Sequence, residues 1–278
     1  MSESPTSWRL ILDPPQDGFY NMARDEALLE CCRRGGACPG TFPVLRIYGW
    51  TVPTLSLGRF QDALQAADQG FCRDRGIPIV RRPTGGAAVL HDREVTYSLV
   101  GPTGAPPFGG AILESYRRIA TGIAAGFVML GLAPDTGSQA RSGGPVASPA
   151  QCFARVSSFE ITFAGRKVVG SAQVRRKGAA LQHGSILLDA NARLFDEATG
   201  GQRQERRGWT TLKELLGRRP DFEEVALALA RGLGEAFAVR WELAEFGGLE
   251  DRLAQRLRSR KYLNAHWTAR GSTALSRI

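Results

Sequence analysis

The chain has 278 residues, 43% of them hydrophobic, enough to bury a full core as one large α/β domain or two small ones. Lys and Arg exceed Asp and Glu by 36 to 27, a formal charge of +9, but the arginines are scattered in pairs such as Arg33-Arg34, Arg117-Arg118 and Arg206-Arg207, without the aromatic interleaving of a nucleic-acid face, so no nucleic-acid partner is expected. No run approaches the roughly 18 apolar residues of a spanning helix, MSESPTSWRL lacks the marks of a secretion signal, and the five cysteines, Cys31, Cys32, Cys38, Cys72 and Cys152, lack paired CxxC spacing, so the expectation is a cytoplasmic chain with reduced thiols and no membrane partner.

In chain order, MARDEALLECC from Met22 to Cys32 carries apolar residues at helical spacing, with Asn21 available as N-cap. Val44 to Trp50 and Ile77 to Val80 read as short strands beside Gly49 and Gly76. Ile112 to Leu132 is the clearest helix, because Ile112, Tyr116, Ile119, Ile123, Phe127 and Leu130 recur at threes and fours. It is expected to lie against a sheet. Ala133 to Ala150 has no apolar period and is rich in Gly, Ser and Pro, so it reads as an exposed, mobile loop.

Phe159, Ile161 and Phe163 alternate with polar residues, Ala164-Gly165 supplies a turn, and Lys167 to Val174 resumes extended structure, a hairpin leading to a third strand near Leu181 to Leu188. Asp221 to Ala238 and Leu249 to Tyr262 read as amphipathic helices within a helical C-terminal part spanning about 220–265. The tail beyond Trp267 is expected to be loose.

Three segments carry residues suited to chemistry. In RRPTGGAAVLHDREVTYS, from Arg81, Gly85 and Gly86 let the backbone bend and approach a ligand closely, while Ala87 and Ala88 keep the next positions narrow. Neither GxxxxGK[ST] nor GxGxxG is present, so the turn is weak as a phosphate loop. Alone, it reads as a strand-joining turn with Arg81, Arg82 and His91 as surface or satisfied polar groups.

Cys152 follows the loop and precedes the hairpin. A thiol of ordinary pKa about 8.5 needs a nearby cation or base to become a ready nucleophile. Lys167 is a plausible partner: its ammonium favours the thiolate, and a neutral amine would take the thiol proton. Taken alone, a cysteine beside Phe153 reads as buried structure and a hairpin lysine as solvated. In LQHGSILL, alternation puts Leu181, His183 and Ser185 on one strand face and Gln182, Gly184 and Ile186 on the other. With no Asp or Glu beside it, His183 reads as a hydrogen-bonded structural histidine. Three histidines without HExxH leave little for a metal centre, and none is expected.

Together these segments, with SFEITFAGRKVVGSAQVRRKGAALQHGSILLD, NMARDEALLE and LRIYGWTVPTLSLGRFQ, resemble the biotin/lipoate protein ligase superfamily over about four-fifths of the chain. The resemblance is closest to its octanoyl-[acyl carrier protein]:protein octanoyltransferase branch. It implies an α/β (α+β) fold, a mixed, largely antiparallel sheet flanked by helices, in a single catalytic domain over 1–278. It implies Cys152 as nucleophile and Lys167 as its partner, with Arg82, Gly85, Gly86, Ala87, His91, Gly170, Ser171, His183 and Gly184 at positions lining the acyl pocket. Ala87 departs from the Gly or Arg common there.

The resemblance also implies a monomer that uses no ATP or other cofactor. The donor would be acyl carrier protein with its phosphopantetheine, and the acceptor a lipoyl-domain protein or glycine-cleavage H protein. Both are acidic as a rule, which would give the +9 balance a use. Two enzymatic alternatives share the motifs: an ATP-dependent lipoate ligase, which does not need Cys152, and an amidotransferase passing octanoyl between lipoyl-domain proteins. A ligand-sensing transcriptional regulator is disfavoured, because no helix-turn-helix precedes the domain.

Overall fold

The structure is a computed structural model that describes residues 6–35, 42–135, 161–201 and 208–271. Its elements in chain order are β1 (Ser7–Leu12), α1 (Gly18–Arg34), β2 (Val44–Tyr48), β3 (Thr54–Leu57), α2 (Ala63–Ala66), α3 (Gln69–Asp74), β4 (Ile79–Arg81), β5 (Val89–His91), β6 (Glu94–Pro102), α4 (Ile112–Met129), β7 (Thr162–Phe163), β8 (Arg166–Lys167), β9 (Val169–Arg176), β10 (Ala179–Leu187), α5 (Ala192–Ala198), α6 (Leu212–Leu216), α7 (Phe222–Phe237), β11 (Arg240–Leu243), α8 (Gly248–Leu257), a π-helical turn (Arg258–Tyr262) and α9 (Ala265–Arg270).

Among the described residues six strands form the main sheet in the order β11-β1-β2-β6-β10-β9. The β11, β1 and β2 strands are parallel and the remaining pairs antiparallel, the mixed architecture that the motifs imply. A smaller sheet, β4-β3-β5, stands beside it, and β7-β8 forms a separate hairpin.

Period-two alternation decides which side chains meet which helix layer. Leu45, Ile47, Val95, Tyr97, Leu99 and Ile186 point to one face, where Ile119, Ile123 and Phe127 of α4 and Leu229 and Leu233 of α7 bury against them. Burying each such side chain contributes about 1.5–3 kcal/mol. The two helices approach closely because glycines meet at their crossing: a Cβ on Gly232 would stand 2.3 Å from the Gly126 nitrogen. The opposite face carries Val44, Val100 and Leu181 against Leu28 and Leu29 of α1. Arg46, Tyr48 and His183 alternate onto this face and meet α1 through polar contacts.

Several expectations need correction. The first helix begins a turn before Met22, because Asp17 rather than Asn21 caps it, accepting from Tyr20 N at 2.9 Å. Asn21 is instead buried, donating to the Gly49 carbonyl at 3.0 Å. Ala164-Gly165 does turn the hairpin, both residues at positive φ (50° and 72°). The chain just past Trp267 is held rather than loose: the Arg81 guanidinium, fully buried, donates to the Thr268 carbonyl at 2.9 Å and that of Ala269 at 3.0 Å. Residues 272–278 and 136–150 of the proposed loop lie outside the described residues.

Candidate active site

Where the main sheet meets the smaller one, a cavity of about 360 Å³ is lined by Arg82, His91, Gly170, Ser171, His183 and Gly184 together with Met22, Tyr48 and Ser56. Six residues nominated from sequence therefore share one space although they come from three stretches of chain. The narrow strand crossing there requires Gly184, since an added Cβ would stand 2.6 Å from the Tyr97 ring and 2.8 Å from the Gly170 carbonyl oxygen. Gly85, Gly86 and Ala87 form the adjoining turn rather than the wall itself.

Arg82 holds that turn. Its guanidinium, 4% exposed, donates to the carbonyls of Gly85 (2.9 Å), Ala87 (2.7 Å) and Ser56 (3.2 Å) and to the Ser56 hydroxyl (3.1 Å). The Arg59 amide donates to the Thr84 carbonyl at 2.8 Å. The turn's carbonyls are thus turned into the protein. Its amides at Gly85, Gly86 and Ala87 donate to no other described residue. Adjacent amides free on one side of a turn form a concavity suited to negative charge.

Both cavity histidines have their two ring nitrogens engaged. His91 Nδ1 lies 2.7 Å from Glu94 Oε1 and its Nε2 2.7 Å from Ser56 Oγ, and the ring stacks on Trp50 at 3.9 Å. His183 Nδ1 lies 2.9 Å from Asp25 Oδ2 and its Nε2 2.7 Å from Thr84 Oγ1. Sequence reasoning missed Asp25, which lies 158 positions from His183. The signal was present in NMARDEALLE as two adjacent acids, Asp25 and Glu26, on a helix whose flanking Met22, Ala23, Ala27 and Leu28 are buried, and both acids are buried with them.

Asp25 also takes Arg46 Nη1 at 2.7 Å and the Tyr48 hydroxyl at 2.9 Å. Burial pushes its carboxyl up, but the His183 hydrogen bond and the Arg46 guanidinium outweigh this and hold it below the usual carboxylate value. Burial pushes the His183 imidazole down, with Asp25 opposing, and the balance is downward. Glu94 repeats the pattern: burial raises it, yet His91 and its other donors leave it lowered overall.

Lys167 is 1% exposed, against the bland expectation of a solvated hairpin lysine. It pairs with Thr162, donates its amide to the Gly208 carbonyl at 3.0 Å and accepts from Thr210 N at 2.8 Å, so it is clamped on both sides. It stands three residues before Gly170. A second cavity of about 480 Å³, lined by Leu187, Trp209 and Phe195 among others, shares Val89 with the first. Trp209 bridges to the Lys167 backbone, so this cavity adjoins the lysine strand.

Cys152 and Phe153 lie outside the described residues. The chain on either side of them is held at the Lys167 hairpin: Asp135 N donates to the Thr162 carbonyl at 2.8 Å, and its carboxylate accepts from Gly165 N at 2.9 Å and Thr162 Oγ1 at 2.8 Å. Of the described cysteines, Cys31 is buried, and burial pushes the thiols of Cys32 and Cys72 up to about 12 and about 11, the wrong direction for a nucleophile. Among the described residues no group of three His, Cys, Asp or Glu side chains is disposed to hold a metal ion, and no helix is long and apolar enough to cross a membrane.

Residues 17–234 match the family model of the lipoyl protein ligase A/B catalytic domain. The chain is 40% identical to an octanoyltransferase LipM of Kyrpidia tusciae, over 95% of this chain and 99% of that one. It is 38% identical to an octanoyltransferase LipM of Carboxydothermus hydrogenoformans, with the same coverage. Its fold matches a lipoate-protein ligase A bound with ATP at TM-score 0.79, 24% identity and coverage of 95% and 99%. It also matches a bipartite lipoate protein ligase from Thermoplasma acidophilum, described together with its E2 lipoyl domain, at TM-score 0.77, 22% identity and coverage of 95% and 96%.

Proposed function

The chain belongs to the lipoyl protein ligase A/B catalytic-domain family and is an acyltransferase moving octanoyl groups in lipoate biosynthesis; on that premise we propose that it carries octanoyl from acyl carrier protein, through a Cys152 thioester, to a lysine of a lipoyl-domain protein or glycine-cleavage H protein. The observation that carries the reading is the hairpin: Lys167 is buried there, and Asp135 ties to that hairpin the start of the segment containing Cys152.

In the first half-reaction the Cys152 thiolate adds to the octanoyl thioester carbonyl. The resulting oxyanion faces the Gly85, Gly86 and Ala87 amides, and Arg82 holds the Gly85 and Ala87 carbonyls away from it. Collapse breaks the carbonyl–sulfur bond to the pantetheine, and the departing thiolate takes a proton from Lys167. One thioester replaces another, so the step is near balance. In the second, the neutral amine of the acceptor lysine adds to the acyl-cysteine, loses a proton to Lys167 and expels the Cys152 thiolate. An amide replaces a thioester, so this step runs downhill and needs no ATP. The +9 charge supports attraction to acidic protein partners.

The test is to incubate the purified chain with octanoyl-acyl carrier protein and a lipoyl domain in the absence of ATP, following the acceptor's mass. Acceptor gaining one octanoyl group supports the proposal. Modification only with ATP and free octanoate would replace it by the ligase reading.

A further inference from the structure

We infer that Asp25 is a positioning residue for octanoyl transfer, acting through His183 and Thr84 to fix the Thr84-Gly85-Gly86 turn whose amides face the reacting carbonyl. The inference rests on the transferase reading above and adds to it a residue that does not line the cavity. An ionised carboxylate only accepts hydrogen bonds, and Asp25 accepts three: Oδ1 takes Arg46, while Oδ2 takes Tyr48 and His183 Nδ1. The proton facing it must therefore sit on His183 Nδ1.

Burial favours the neutral imidazole, with Asp25 already neutralised by Arg46. Nε2 then carries a lone pair, and the Thr84 hydroxyl, 2.7 Å away, must donate to it. The protonation of one carboxylate in α1 thus sets the direction of each hydrogen bond out to the turn. Thr84 is fully buried, so its hydroxyl has no water to turn to instead.

The turn is held at three points. Thr84 is fixed by its side chain on His183 and by its carbonyl on the Arg59 amide, while Arg82 fixes the Gly85 and Ala87 carbonyls from the other side. Arg82 is in turn oriented by Ser56, which meets His91 Nε2, and the other nitrogen of that ring meets Glu94. Two carboxylate–histidine–hydroxyl chains therefore converge on one turn, and neither histidine keeps a free nitrogen for proton transfer. Losing the Thr84 side-chain bond leaves that end of the turn held only by the Arg59 amide, and misplacement of about 1 Å at a reacting centre costs on the order of 100-fold in rate.

The experiment compares Thr84→Val, Thr84→Ser and Asp25→Asn with wild type by steady-state transfer from octanoyl-acyl carrier protein and by ¹⁵N-histidine NMR. The chain has only three histidines, and a His183→Gln spectrum assigns the signal of interest. Wild type is expected to have His183 protonated on Nδ1. Thr84→Val should lower kcat about 10- to 100-fold with KM for the donor little changed, and Thr84→Ser should recover most of it. In Asp25→Asn the amide oxygen stays on Arg46, its NH₂ faces His183, and the imidazole should move to the Nε2-protonated form with a similar loss of kcat.

A wild-type His183 protonated on Nε2, a Thr84→Val enzyme with wild-type kcat, or a Thr84→Ser enzyme as damaged as Thr84→Val would each overturn the inference. If Asp25→Asn fails to fold, the Thr84 pair and the wild-type spectrum still decide it. A wild-type protein that transfers no octanoyl would instead remove the functional reading, while the tautomer would still test the hydrogen-bond chain.

Discussion

An alanine at Gly58 would set its methyl 1.8 Å from the Gly86 carbonyl oxygen and 2.8 Å from the Gly86 carbonyl carbon. Both are backbone atoms of the turn, so no side chain swings aside to relieve the clash. Ordinary contact begins near 3.4 Å, which means the turn must retreat by about the difference, roughly 1.6 Å. Gly58 itself is anchored, its amide on Gln61 Oε1 at 2.8 Å and its carbonyl on Arg81 at 2.7 Å, so the displacement falls on the turn. A shift of that size at an oxyanion site corresponds to a loss of at least about 100-fold in rate. The assay is octanoyl transfer without ATP, paired with circular dichroism to confirm that the sheet is intact. A folded Gly58→Ala protein with transfer within threefold of wild type would refute the claim that catalysis depends on the position of this turn.

Lys167→Met keeps the stem and removes the ammonium; transfer should fall by about 10²- to 10⁴-fold in kcat, as for loss of a general acid–base group, and near-normal turnover would remove its assigned role. Arg82→Ala strips a donor from one buried and two part-buried carbonyls, a penalty of about 1–3 kcal/mol that, at about 2–4 °C per kcal/mol for a chain approaching this size, should lower Tm by roughly 2–12 °C. Arg82→Lys should recover only part of that in a melting experiment, because an ammonium cannot span the fork. Stability should also fall on acidification. His183, held below its ordinary 6.5, leaves the unfolded chain binding the extra proton first, so its contribution is complete above about pH 6.5 and lost as pH falls below. Asp25 and Glu94, held below 3.8 and 4.5, add a second loss as pH falls through that lower range. Melting curves from pH 8 to 2.5 should show Tm declining in that order; a Tm rising toward pH 5 would contradict the neutral assignment of His183.

Local pattern carried much of the fold. The α4 helix was legible because Ile119, Ile123 and Phe127 repeat at helical spacing and do bury. The Ala164-Gly165 turn was legible because the residue pair tolerates positive φ. The α1 start was misplaced because Asp17 and Asn21 are both good caps and only tertiary contact separates them: Asn21 is drawn inward by Gly49 and Arg46. The tail after Trp267 looked loose because its sequence is polar, whereas its backbone is held by the distant Arg81. At the site, the motif resemblance nominated Arg82, His91, Gly170, Ser171, His183 and Gly184, which line one cavity, and Gly85, Gly86 and Ala87, which form the turn beside it. Residue by residue, the same histidines and Lys167 read as ordinary, since their partners Asp25, Ser56 and the 208–210 segment are remote in sequence or lack any local period.

The central claim is an acyl group carried on Cys152, and its most direct measurement is intact-protein and peptide mass spectrometry after brief exposure to octanoyl-acyl carrier protein without ATP or acceptor. The account predicts one octanoyl adduct, mapped to Cys152, that disappears when lipoyl domain is added and never forms in Cys152→Ala. A Cys152→Ala protein that octanoylates the lipoyl domain as fast as wild type would contradict it.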